Sequence, residues 1–165
     1  MKTLHAEESM IIDARAEELY AVVSDYRAGH PAILPKPYFQ ELTVEKGGVG
    51  AGTEIRTSVK VMGRVTPVHH LVSEPEPGRV LQENDLDKPG EFTRFFFEPL
   101  NGGAQTRVTI VTEFVPSPGL MGFMERLSKP SVARKMYRQE LRNLAGYVAV
   151  RAAERAGERQ TVAVN

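Results

Sequence analysis

The stretch TEIRTSVKVMGRVTPVHHLVS, residues 53–73, decides the fold. Its side chains alternate in character with a period of two, the repeat of a half-buried β-strand, and Met62-Gly63 at its centre has the composition of a tight turn. Residues opposite one another across an antiparallel ladder point to the same face. With Gly63 in a two-residue turn, Ile55, Thr57, Val59 and Val61 share a face with Thr66, Val68, His70 and Val72, while Glu54, Arg56, Ser58 and Lys60 take the other. The same reasoning around Asn101-Gly102-Gly103 groups Phe95 and Phe97 with Val108 and Ile110, and sends Arg94, Glu98, Arg107 and Glu113 outward. Each hairpin has one apolar face.

Outward from these hairpins the period of two recurs over 39–45, 79–85 and 92–98 and 106–114, with turn-forming breaks at 47–52, 75–78, 88–90 and 101–103. Leu4 and residues 9–12 add a short first strand, making seven. Asp13 reads as the N-cap of a helix with Glu17 and Glu18 in its first turn and Leu19, Tyr20, Val22 and Val23 on its apolar face. Pro31, Pro35 and Pro37 restrict any second helix to a short one. Residues 121–156 return to helical spacing, with Met124 and Leu127 before Pro130 and Ala133, Tyr137, Leu141, Leu144 and Val148 after it, which predicts a long last helix kinked or restarted at Pro130. The expected fold class is α+β: a seven-stranded antiparallel curved sheet wrapped around a long C-terminal helix, with two short helices after the first strand. A bent sheet is not filled by one helix alone, so a cavity open at one end is expected between them. The alternative is that the phenylalanines fill that gap.

The 165 residues are 41% hydrophobic and 25% charged, with 21 Lys and Arg against 21 Asp and Glu, which places the chain among ordinary globular domains. The expected domain spans 1–157, followed by a frayed tail over 158–165. With no cysteine, disulfide frameworks, thiolate nucleophiles and cysteine-based metal sites are excluded. Zero net charge argues against a dedicated nucleic-acid binder. Neither a secretory signal nor a membrane-spanning run of ~20 apolar residues is seen, so a cytoplasmic location is the default expectation.

The order strand, two short helices, six-strand meander and long helix resembles the helix-grip fold of the START-like (SRPBCC) superfamily, in its polyketide cyclase/dehydrase and lipid-transport branch. IIDARAEELYAVVSDY is similar to that family's first strand and helix, HPAILPKPY to its proline-bearing corner, GGVGAGTEIR to its second turn, and EPEPGRVLQEND, FTRFFFEP and TRVTIVTEF to its last three strands. The resemblance implies a hydrophobic-ligand cavity, while no catalytic residue is shared across such a family.

The glycines 47, 48, 50 and 52 precede a strand and lack the lysine and the spacing of phosphate-binding loops, so they are read as a turn bordering the cavity. Adjacent His69 and His70 fall on opposite faces of a strand and cannot jointly chelate; with no HExxH spacing, no metal site is expected, and no organic cofactor is implied. His70 is expected inside, as a wall residue or as an acid or base. Glu83 points inward if Leu81 does, whereas the opposite phase puts Gln82 inside; a solvated Glu83 is the favoured reading. His70, Glu83 and Tyr137 are the candidate catalytic residues. The expected cavity walls are Ile55, Thr57, Val59, Val68, His70, Phe95, Phe97, Val108 and Ile110 on the sheet, Met124, Leu127 and Tyr137 on the helix, and Tyr26, Ile33 and Phe39 near the entrance. Leu120, Met121, Phe123 and Met124 read either as an apolar lip or as core. The basic residues of the last helix read as its wet face, which leaves peripheral membrane contact open. The expected function is to bind a small hydrophobic or aromatic molecule, of lipid or polyketide type, as a monomer or homodimer. The alternatives are a cyclase or dehydratase using the same cavity and a protein-interaction or chaperone-assisting module.

Overall fold

A computed structural model describes residues 3–61 and 63–163. The elements run β1 (Leu4–Ile12), α1 (Ala16–Ser24), α2 (Gly29–Ile33), β2 (Thr43–Lys46), β3 (Glu54–Val61), β4 (Arg64–Glu76), β5 (Val80–Asp85), β6 (Phe92–Leu100), β7 (Gln105–Phe114) and α3 (Gly119–Ala163). The strands form one antiparallel sheet in the order β1-β7-β6-β5-β4-β3-β2, so a meander from β2 to β7 ends beside β1. The two hairpins have the predicted phase: Ile55 lies opposite His70, Thr57 opposite Val68, Phe95 opposite Ile110 and Phe97 opposite Val108. Met62 of the first turn lies outside the described residues.

Two expectations are corrected and a third is narrowed. The strand expected over 39–45 is reduced to Thr43–Lys46, with Phe39 held only by an isolated bridge to Val59, because Pro35 and Pro37 keep the preceding chain in turns. Asp13 does not cap α1. The helix begins at Ala16 with Arg15 at its N-cap, since Ala14 is tied to the strands through its amide to the Ile12 carbonyl and its carbonyl to Thr106 Oγ1. Pro130 neither ends nor restarts α3, which runs through it as one helix. The backbone stays helical past 157 as far as Ala163.

The concave face of the sheet carries the core. Val108, Ile110, Phe95, Phe97 and Leu81 from the sheet meet Leu19 and Val23 of α1 and Leu141 and Leu144 of α3 in one buried cluster. Tyr20 of α1 stands edge-on to Phe97 with ring centroids 5.2 Å apart. This end of the concave face is therefore filled by its own aromatic residues.

The other end is not. The rung through Leu71, Asn84, Phe92 and Glu113 is the last that crosses β4, β5, β6 and β7. Beyond it, residues 56–61 of β3 and 64–69 of β4 continue as an arm of ~20 Å at 3.3 Å per residue, edged along β3 by residues 38–43. Phe114, at the same end, leads into α3. On the inner side of this arm Val59, Val61, Thr66 and Val68 are only half-buried, with Val59 and Val61 resting against the edge of the core.

The short α1–α2 corner is pressed tightly together. A Cβ on Gly29 would lie 2.3 Å from the carbonyl oxygen of Val22, so only glycine allows α2 to pack this closely on α1. The glycine turn after β2 closes the corner from the other side: Tyr26 donates its amide to the Gly48 carbonyl and Gly50 donates its amide to the Ser24 carbonyl, both at 2.9 Å. That turn is thus a clamp on the segment that carries Tyr26 and His30. Gly29→Ala is expected to destabilise the protein by roughly 1–3 kcal/mol, the usual range for overpacking, measured by urea unfolding; a midpoint equal to wild type would contradict this close packing.

Candidate functional site

The rung next to this half-covered end is polar. Val72, Glu83, Thr93, Thr112 and Ala6 are successive partners across five strands, and all point to the concave face because they share the phase of Leu81, Phe95 and Ile110. Glu83 is buried at 6% exposure, which corrects the preferred expectation of a solvated side chain. Its neighbour Gln82 faces away, accepting from Arg94 Nε at 2.6 Å.

Three groups converge on the Glu83 carboxylate. Tyr26 Oη donates to Oε1 at 2.7 Å, His30 Nε2 lies 3.5 Å from the same oxygen, and His70 Nδ1 lies 3.4 Å from Oε2. His30 is itself fixed: its Nδ1 bonds the Val23 carbonyl at 2.7 Å, its ring stacks on Tyr26 with centroids 4.5 Å apart, and Phe95 stands edge-on at 5.8 Å. Burial alone would raise the Glu83 pKa, but the hydrogen bond from His70, the His30 and His70 imidazoles and the Tyr26 hydroxyl together bring it down to about 2. Glu83 is an anion at every ordinary pH.

A second carboxyl group faces the first from the helix. Glu140 of α3 is 3% exposed, and its Oε1 has no hydrogen-bond partner among the described residues. Burial, and then the charge on Glu83, push its pKa up to about 8. At neutral pH it carries its proton. One turn earlier Tyr137 bonds Thr112 Oγ1, which lies 2.8 Å from Thr93 Oγ1, and burial raises the Tyr137 pKa as well. The interior therefore places a fixed carboxylate beside a neutral carboxylic acid, the arrangement in which one group can accept a proton and the other donate one.

The candidates fall into three groups. His70, Glu83 and Tyr137 all reach this polar interior. Ile55, Thr57, Val59, Val68 and Phe39 lie along the inner side of the arm or its base, the last three half-buried. Phe95, Phe97, Val108 and Ile110 are buried in the packed core. Tyr26 and Ile33 are fully buried rather than at an entrance, because the Gly29 contact draws α2 inward. Met124 and Leu127 are not walls, being 56% and 65% exposed on the outer side of α3. His30 and Glu140 were not among the candidates, although Glu140 continues the spacing Ala133, Tyr137, Leu144 and so stands where an apolar residue is expected.

On the convex face His69, pointing opposite to His70 as expected, lies 2.8 Å from Glu54 and 3.6 Å from Glu45. These three offer potential metal ligands within 4.8 Å of one another, a grouping that strand pairing, not spacing in sequence, creates. The carboxylates already pair with Lys46 at 2.5 Å and Arg56 at 2.6 Å, so the group is built as an ion-pair network.

Comparison with known proteins places this geometry. The family model described as polyketide cyclase / dehydrase and lipid transport matches residues 3–149, and the chain belongs to that family. The solution structure of KanY protein is 25% identical with a TM-score of 0.77 over 90% of this chain and 99% of that one. The Zhui aromatase/cyclase from a Streptomyces species is 18% identical with a TM-score of 0.75, covering 91% and 96%. A norcoclaurine synthase point mutant from Thalictrum, in complex with a transition-state analogue, is 13% identical with a TM-score of 0.68, covering 92% and 99%. No curated protein matches. Among the described residues no helix is long and apolar enough to cross a membrane.

Linkage gives the pair a signature. Glu83 contributes stability above the ordinary carboxylate value of 4.5 that is lost as pH falls toward about 2. Glu140 acts oppositely: the folded state keeps a proton that the unfolded chain releases, so stability falls as pH rises from 4.5 to about 8. Glu140→Gln removes that loss. The stability of the variant relative to wild type is expected to rise by roughly a few kcal/mol between pH ~5 and pH ~8 in urea unfolding, whereas a constant difference would show that Glu140 ionises normally.

Proposed function

We propose that the protein binds a small hydrophobic or aromatic molecule, of lipid or polyketide type, in a cleft between the β3–β4 arm and the start of α3, with a polar group of the ligand directed toward His70, Glu83 and Glu140. The observation that carries this reading is an apolar concave face left half-covered at one end, directly adjoining a buried cluster of acid and base groups. Val59, Val68 and Phe39 supply apolar contact, and Thr57 and His70 supply polar contact between the arm and the interior. Membership of a family described by polyketide cyclisation, dehydration and lipid transport supports the ligand class.

A second reading, a cyclase or dehydratase type of enzyme, is favoured by one specific observation: the two carboxyl groups have pKa values pushed apart to about 2 and about 8. A carrier needs one polar anchor, whereas two buried carboxyl groups of opposite protonation provide a base and an acid. In that reading Glu140 donates to a ligand oxygen, and His70, hydrogen-bonded to Glu83, relays or accepts a proton.

Titration with an apolar fluorescent probe, read by emission, tests the cleft. Wild type is expected to bind one probe, and Val59→Arg to weaken it by about tenfold or more because a charge then replaces apolar wall. Unchanged affinity in Val59→Arg would remove the cleft from consideration. The readings separate at Glu140→Gln, using the compound that native mass spectrometry finds bound to the protein. A carrier retains its affinity for that compound within a few fold with no conversion in either protein. An enzyme converts it, and the variant loses roughly 10²–10⁴ in rate.

A further inference from the structure

We propose that the first half of α3 is an interfacial helix that docks the protein on an anionic lipid bilayer. The proposal stands on the outer face of this helix and does not depend on what the cleft holds. Leu120, Phe123, Met124 and Leu127 are 79%, 57%, 56% and 65% exposed, four large apolar side chains in two turns. At 100° per residue they form one stripe, and Ser131, Arg134, Lys135 and Arg138 continue the same face. The opposite face, through Gly122, Ala133, Met136, Tyr137 and Glu140, is the buried one. The phase is unbroken across Pro130, so the stripe points away from the protein and cannot be absorbed by its core.

Charge selects the partner. No carboxylate lies on the outer face between 120 and 138. Glu125, the only acid in its first two turns, belongs to the inner side, where it accepts from Ser117 and pairs with Lys129 at 3.3 Å. Arg134 and Lys135 are exposed and have no ion-pair partner among the described residues, while Arg138 bonds Glu8. An apolar tip followed by a basic heel matches the depth profile of an anionic membrane surface, with acyl chains below the phosphates. A second copy of the chain fits less well, because two helical turns span only ~11 Å and cannot supply the ~800 Å² per partner of a stable interface.

Co-sedimentation of the full chain with vesicles tests the proposal. Binding is expected to vesicles of equal phosphatidylcholine and phosphatidylglycerol and to be at least tenfold weaker to phosphatidylcholine alone. The double variant Leu120→Ser, Leu127→Ser is expected to lose binding, and Arg134→Gln with Lys135→Gln to weaken it by roughly tenfold or more. Circular dichroism and the apolar-probe titration, unchanged in both variants, establish that they are folded. No sedimentation of wild type with the anionic vesicles, or sedimentation unaffected by either variant, overturns the proposal. So does a dimer in size-exclusion chromatography that the Leu120→Ser, Leu127→Ser variant dissolves, which would assign the stripe to self-association.

Discussion

A carboxylate buried in the concave face of a β-sheet must be held as an ion by its neighbours or lose its charge. Glu83 is held by Tyr26 and His30 from the α1–α2 corner and by His70 from the adjacent strand. Those contacts also bind the corner to the sheet. The Gly29 contact, the glycine clamp over Tyr26 and the bond from His30 to Val23 all serve to bring two side chains from a loop-like segment to one point on β5. Removing the charge would leave the Tyr26 hydroxyl and two imidazoles facing a group that no longer needs them, so the cluster acts as a unit.

Burial, and then the same ion, set the state of its neighbour on α3. Glu140 cannot ionise beside Glu83 without placing two negative charges in one desolvated space, so it remains an acid, its Oε1 unpaired among the described residues. Stability alone gives no reason to place such a group here, since an apolar side chain at 140 would pack one turn from buried Leu144 at less cost. Buried acids of perturbed pKa concentrate where chemistry or specific recognition occurs. Here the pair adjoins the open end of the sheet, where the β3–β4 arm extends past its neighbours and its valines are half-covered. The packed end, by contrast, is closed by Tyr20 against Phe97 and His30 against Phe95, and carries stability.

Much of this was legible from residue order. The facing of β3, β4, β6 and β7 follows from two turns and a period of two, because a one-residue slip would expose every apolar side chain. The facing of β5 did not follow, because the irregularity between Ser73 and Glu76 shifts the register that a turn would otherwise transmit. His30 was hidden because it lies in a proline-bearing corner whose path depends on the Gly29 contact. Glu140 was hidden by its type: an acid in a charged helix reads as wet, although its spacing from Ala133, Tyr137 and Leu144 marks the buried side. The misplacement of Met124 and Leu127 has a related cause. A proline inside a helix suggests a reset of phase, and α3 keeps its phase through Pro130.

The central claim is that two buried carboxyl groups stand in opposite protonation states, one fixed and one poised. Carbon-13 NMR of the side-chain carboxyls, with Glu83 and Glu140 assigned by single substitution, reads each state directly. The account predicts that the Glu83 resonance stays at its ionised position down to pH ~4 while the Glu140 resonance moves with a midpoint near pH 8. Two resonances that titrate together near the ordinary glutamate value would contradict it.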